Sequence, residues 1–96
     1  MRLPLAALAL AVAATPAMAA APTLEAALAT PAQGRIITRS GAWNCSDAGC
    51  VSQSAASRPM VQCQLLAKEV GIVSRFSVDG VAFGEDDLAA CNKKAR

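Results

Sequence analysis

Cys45, Cys50, Cys63 and Cys91 are the residues of this chain whose type and spacing most plainly carry chemistry. An even set of cysteines in a short chain bound for an oxidising compartment reads as a disulfide framework. Four cysteines permit three pairings, and spacing alone does not choose among them. The segment Ser46-Asp47-Ala48-Gly49 between the first two is a four-residue turn: Asp bonds its own backbone and Gly accepts positive φ. That turn favours Cys45–Cys50 across the mouth of a hairpin, leaving Cys63–Cys91. Cys45–Cys63 with Cys50–Cys91 is the main alternative. A structural zinc site normally draws on two close pairs, and Cys63 and Cys91 do not form one. A redox-active dithiol normally uses Cys-x-x-Cys at a helix start, which is a shorter spacing than Cys45 to Cys50.

Other chemistry is weakly supported. The chain contains no His and no Tyr, which removes the usual neutral-pH proton shuttle and the ordinary Ser-His-Asp triad. Ser46, Ser52 and Ser54 therefore read as turn or surface groups. Glu85, Asp86 and Asp87 lack the spacing of a calcium loop and suit the start of a helix. Glu69 and Asp79 fall in separate elements, and nothing sets them up as an acid/base pair. The reading is a non-enzyme, with no cofactor and no metal called for.

The elements that must position the cysteines follow from pattern. Residues 20–34 form an Ala-, Pro- and Thr-rich arm, flexible or carrying a short helix with Thr23 as cap and Leu24 and Leu28 on one face. From Arg35 to Trp43 the residues favour extended chain, with Gly41 a bulge or break, and the Cys45–Cys50 hairpin follows. Ser54–Ser57 reads as a polar connection. Pro59 opens the strongest helix, in which Met60, Cys63, Leu66, Ala67 and Val70 make one stripe and Gly71 the C-cap. Val61 and Leu65 fall outside that stripe, and together with Trp43 they are the candidate interface residues. Ile72–Val78 reads as a strand with Ile72, Ser74, Phe76 and Val78 on one face, and Asp79-Gly80 as a tight turn into Val81–Phe83. Glu85 onward reads as a second helix finishing in Lys93 and Lys94, with Leu88 and Cys91 on one face. The fold class is α+β: a small disulfide-stabilised domain over residues 35–96, ordered approximately hairpin, helix, hairpin, helix.

The first 19 residues combine a basic start, an apolar run over Leu3–Ala14 and a small-x-small site at Ala17-Met18-Ala19. This is the pattern of a cleaved secretory signal, too short in its apolar run to span a bilayer comfortably. Removing it leaves eight Lys or Arg against seven Asp or Glu. Such a balance offers nothing for nucleic-acid binding, which needs converging cations. The expectation is a periplasmic or secreted protein without a transmembrane anchor in its mature chain. Among the remaining cations, Arg35 and Arg39 share one side of an extended segment, and Arg58, Lys68 and Arg75 are candidates to converge.

At Trp43-Asn44-Cys45, Cys50, Cys63, Gly71, Phe76, Gly80, Leu88 and Cys91-Asn92 the chain resembles a family of small exported, uncharacterised proteins from Caulobacter, sphingomonads and related alphaproteobacteria. The likeness covers roughly Gly41–Asn92. It implies a periplasmic four-cysteine domain and carries over no catalytic motif. The function expected from these observations is a noncatalytic envelope-associated or protein-binding module with an envelope or periplasmic protein as partner. An inhibitor of a periplasmic or secreted hydrolase, presenting Ser46–Gly49 or Asp79-Gly80, is the first alternative, and a thiol–disulfide redox protein is the second.

Overall fold

The computed structural model describes residues 21–53 and 57–96; the expected signal segment, Met1–Ala19, lies outside them, as do Ser54–Ala56 of the connection. In chain order the elements are β1 (Thr23–Leu28), β2 (Gly34–Thr38), β3 (Gly41–Ser46), β4 (Gly49–Gln53), α1 (Pro59–Val70), β5 (Val73–Val78), β6 (Val81–Ala82) and α2 (Glu85–Asn92). The strands form a single sheet in the order β2-β3-β4-β1-β5-β6, every neighbouring pair antiparallel. Both helices lie on one face of it, α1 against β1, β2 and β5, and α2 against α1 and β5. The result is a small disulfide-stabilised α+β domain.

The main correction concerns the arm. Residues 23–28 are neither mobile nor helical: they are the strand β1, seated between β4 and β5. Leu24 and Leu28 lie four apart, a spacing that suits a helix face and a strand face equally. Ala26 between them decides it, being buried with Leu24 while Glu25 is exposed. An isolated helix of this length would be marginal, whereas a strand here gains a hydrogen-bonded neighbour on each side. Thr23 caps nothing; its N–H donates to Asp79 Oδ1 at 2.9 Å and its carbonyl accepts from Asp79 N at 2.8 Å. These two bonds fasten the start of β1 to the β5–β6 turn.

Two further strands depart from the expected pattern. The extended run from Arg35 is a complete hairpin, β2 and β3 pairing with Thr38 opposite Gly41. Thr38 Oγ1 accepts from Ser40 N and donates to the Gly41 carbonyl, both at 3.1 Å, so a threonine hydroxyl holds a turn that lacks an Asn-Gly signature. In β5 the inward residues are Val73 and Phe76, and Ile72 lies outside the strand and half-exposed. The register with β1 explains this, since Ala27 opposes Arg75 while Leu28 opposes Val73. Ser74 is the extra residue of a bulge, and one extra residue reverses which side chains face the core.

The core is built from rows of facing residues. One sheet face carries Ile36, Trp43, Ser52, Leu24 and Val78 across its width, with Val81 of β6 exposed beyond them; the next row runs through Cys45, Cys50, Ala26 and Phe76. Trp43 and Phe76 are fully buried and meet edge to face with ring centroids 6.0 Å apart, and Phe83 packs on Phe76 at 4.7 Å with its ring tilted by 43°. From α1, Cys63, Leu66 and Ala67 close over them, joined by Gln62, a buried polar residue outside the expected stripe; Met60 and Val70 of that stripe are only partly buried. The second helix ends at Asn92, with Lys93 as its C-cap and no basic residue in its last turn. Its three-residue acidic start, Glu85 to Asp87, matches the expectation and suits the helix dipole.

Candidate binding site

The four cysteines are placed first, because they fix the surfaces around them. Cys45 faces Cys50 directly across the β3–β4 hairpin and is bonded to it; Cys63 of α1 is bonded to Cys91 of α2. Cys50, Cys63 and Cys91 are essentially inaccessible and Cys45 is 8% exposed. The turn between Cys45 and Cys50 needs no positive φ at Asp47 or Ala48; Gly49 supplies it, at φ 128°. Gly49 also lies so close to β1 that an added Cβ would overlap the Ala26 carbonyl oxygen. Gln33 Nε2 donates to Asp47 Oδ1, tying the turn back to the segment before β2.

The second bridge sets the position of α2, a helix of eight residues in which only Cys91 is buried. Asn92 reinforces it: its Oδ1 accepts from Val73 N and its Nδ2 donates to the Val73 carbonyl, both at 2.8 Å. The side-chain amide thereby takes the place of a neighbouring strand beside the β5 bulge. Gln64 Nε2 adds a bond from α1 to the Ala90 carbonyl at 3.2 Å. The chain beyond α2 returns to α1, where Arg96 N donates to the Ala67 carbonyl at 3.1 Å.

That return creates the candidate site. A groove of about 300 Å³ is lined by Arg39, Val61, Gln64, Leu65, Lys68 and Lys94. Its floor is formed by the half-buried Val61, Gln64 and Leu65, two aliphatic side chains flanking an amide, and its rim carries three exposed cations. Each cation comes from a different part of the fold: Arg39 from the β2–β3 turn, Lys68 from α1 and Lys94 from the turn after α2. A second depression continues from it and adds Thr38 and Glu69 beside Arg39, Leu65 and Lys68. A largely aliphatic floor within a cationic rim suits a partner that presents apolar side chains flanked by carboxylates.

Of the candidate interface residues, Val61 and Leu65 are brought together here. Trp43 is not: it has no exposed surface, and its role is in the core. Arg39 and Lys68 meet at the groove, whereas Arg75 lines a separate shallow hollow on the opposite sheet face with Glu25, Asn44 and Val51. Gln64 and Lys94 are the lining residues that sequence reasoning missed, Lys94 because it reads simply as the positive end of a helix. Among the described residues no group of three or more His, Cys, Asp or Glu side chains is placed to hold a metal ion, and no helix is long and apolar enough to cross a membrane.

A family model described as a family of unknown function, DUF8200, matches residues 8–93. The chain belongs to that family. The match takes in the eight secondary-structure elements of the described residues, both disulfides and every groove residue except Lys94. No curated protein and no solved structure matches the chain.

Proposed function

We propose that this DUF8200 protein is a noncatalytic module of the cell envelope that docks a partner protein on the exposed side of α1. The observation that carries this reading is the groove over Val61 and Leu65, with Arg39, Lys68 and Lys94 converging on it from three separate elements. Export to the periplasm, or beyond it, is inferred from the signal-like opening and from four cysteines joined in two bridges. The resemblance to exported alphaproteobacterial proteins supports the same placement. Burial of both bridges weighs against a redox role, since exchange requires an incoming thiolate to reach sulfur.

The test is affinity recovery of the oxidised protein from its native envelope fraction after crosslinking, with Val61→Asp/Leu65→Asp alongside. Both positions are half-buried but lie outside the core cluster, so the substitutions leave the core intact, which far-UV circular dichroism checks. A partner recovered with the parent chain and lost with the variant supports the reading; equal recovery with both sinks it. N-terminal sequencing of the recovered protein tests export, with a start just after Ala19 as the expected result.

One observation favours hydrolase inhibition as a second reading. The Ser46–Gly49 turn is closed from behind by the Cys45–Cys50 bridge, giving a preformed exposed tip that loses little freedom on binding. No inhibition of envelope proteases and muramidases at high protein concentration would remove it.

A further inference from the structure

We infer that the groove takes an extended, acidic segment of its partner, which pairs as an added strand with the edge of β2. The inference rests on the docking reading above and names the partner's chemistry. β2 is the last strand of the sheet, and among the described residues its only paired neighbour is β3. In an antiparallel ladder, alternate residues of an edge strand turn their N–H and C=O groups away from the neighbour they already have. Such a row recruits an extended chain unless something covers it.

The edge and the groove are continuous. Thr38, the last residue of β2, and Arg39, which follows it, line one depression with Leu65, Lys68 and Glu69 of α1. That depression shares Arg39, Leu65 and Lys68 with the larger groove containing Val61 and Lys94. A strand laid along β2 would therefore direct alternate side chains toward α1. Apolar ones would reach Val61 and Leu65, and carboxylates would reach Arg39, Lys68 and Lys94. Its other side chains would lie beside Arg35 and Ile37, which occupy the outer face in register with Asn44 and Ala42. Ile37 is 62% exposed, so this second face also offers one aliphatic and one cationic contact.

Charge argues against a second copy of the chain in this position. The β2 edge of a second copy, with the turn residue that follows it, carries Arg35 and Arg39 and no carboxylate, so it offers nothing to the cations of the groove. At the other end of the sheet, β6 has only two residues and presents a far shorter edge.

The experiment is selection of a random twelve-residue peptide library, displayed on phage, against the oxidised protein. The expected consensus excludes Pro and carries both Asp or Glu and Val, Ile or Leu within each set of alternate positions, because either face of the added strand meets cations as well as aliphatic side chains. The consensus peptide is then synthesised and its Kd measured by fluorescence anisotropy. The Kd is expected to rise about tenfold or more in Arg39→Glu/Lys68→Glu, whose two positions are exposed and outside the core. It should rise comparably on the parent protein when the peptide is N-methylated at alternate residues, a control that requires no variant to fold. Bound peptide should slow amide exchange along Gly34–Thr38. A basic consensus, a proline-rich one or none overturns the inference, as does indifference to N-methylation or dimerisation through β2 that the peptide cannot displace. If the peptide fails while capture still depends on Val61 and Leu65, strand addition falls and docking stands; if capture is indifferent to them, docking itself falls.

Discussion

Removing the α1–α2 bridge should cost this domain more than removing the hairpin bridge, although the same atoms are lost in each case. The perturbations are Cys63→Ala/Cys91→Ala and Cys45→Ala/Cys50→Ala. The bonded residues lie 28 apart in the first pair and 5 apart in the second. On the chain-entropy account, bridges closing loops of these lengths restrict the unfolded chain by about 3.6 and about 2.1 kcal/mol at 25 °C. Each variant deletes two buried sulfurs, so packing losses largely cancel in the comparison and leave a difference of about 1.5 kcal/mol. In a domain of this size that separates the two melting temperatures by about 6–12 °C. The direction is reinforced locally: α2 has only Cys91 buried, and a free helix of eight residues does not persist in water. The assay is urea and thermal unfolding followed by fluorescence of the single tryptophan, Trp43, which is fully buried when folded. If the hairpin variant proves equally or more destabilised, the longer bridge is not the dominant staple and the reasoning fails.

Three more perturbations test the fold. Gly49→Ala should destabilise by about 2–5 kcal/mol, because it adds a side chain at φ 128° and drives it into the Ala26 carbonyl; urea unfolding would show this, and a near-neutral result would mean that β4 and β1 do not approach as described. Asn92→Ala should cost about 2–3 kcal/mol by leaving both backbone groups of Val73 without their partner, with faster exchange of the Val73 amide as the local signature. Leu24→Ala should cost about 2–5 kcal/mol, the value for a large core side chain, whereas a residue on a mobile arm would change stability by less than about 0.5 kcal/mol.

Local chemistry made several elements legible. Pro59 and Gly71 bracket α1 as expected, and Gly71 N donates to the Ala67 carbonyl at 2.9 Å. Asp79 and Gly80 both adopt positive φ, at 49° and 84°, the backbone that an Asp-Gly hairpin turn requires. The Ser46–Gly49 turn places Cys45 opposite Cys50, and the inward stripe of α1 carries Cys63 to Cys91. The elements that were misread are those whose identity depends on remote partners. Leu24 and Leu28 do not declare a period of two; β1 exists because Leu24 pairs with Ser52 on one side and Val78 on the other. The inward turn of Val73 depends on the Ser74 bulge, which only the register against β1 defines.

The site divides in the same way. Val61 and Leu65 stand out along α1 because they are aliphatic residues off the core stripe, and that much is a property of helical spacing. Their cationic rim is not, since Arg39, Lys68 and Lys94 are separated by long stretches of chain and assemble only when α2 docks on α1 and the chain after it turns back. Turns, caps and stripes depend on contacts between near neighbours, so the order of residues determined them directly. Strand pairing, register and the charge of a composite groove join residues tens of positions apart, and those were decided by the closing of the sheet and the packing of two helices across it.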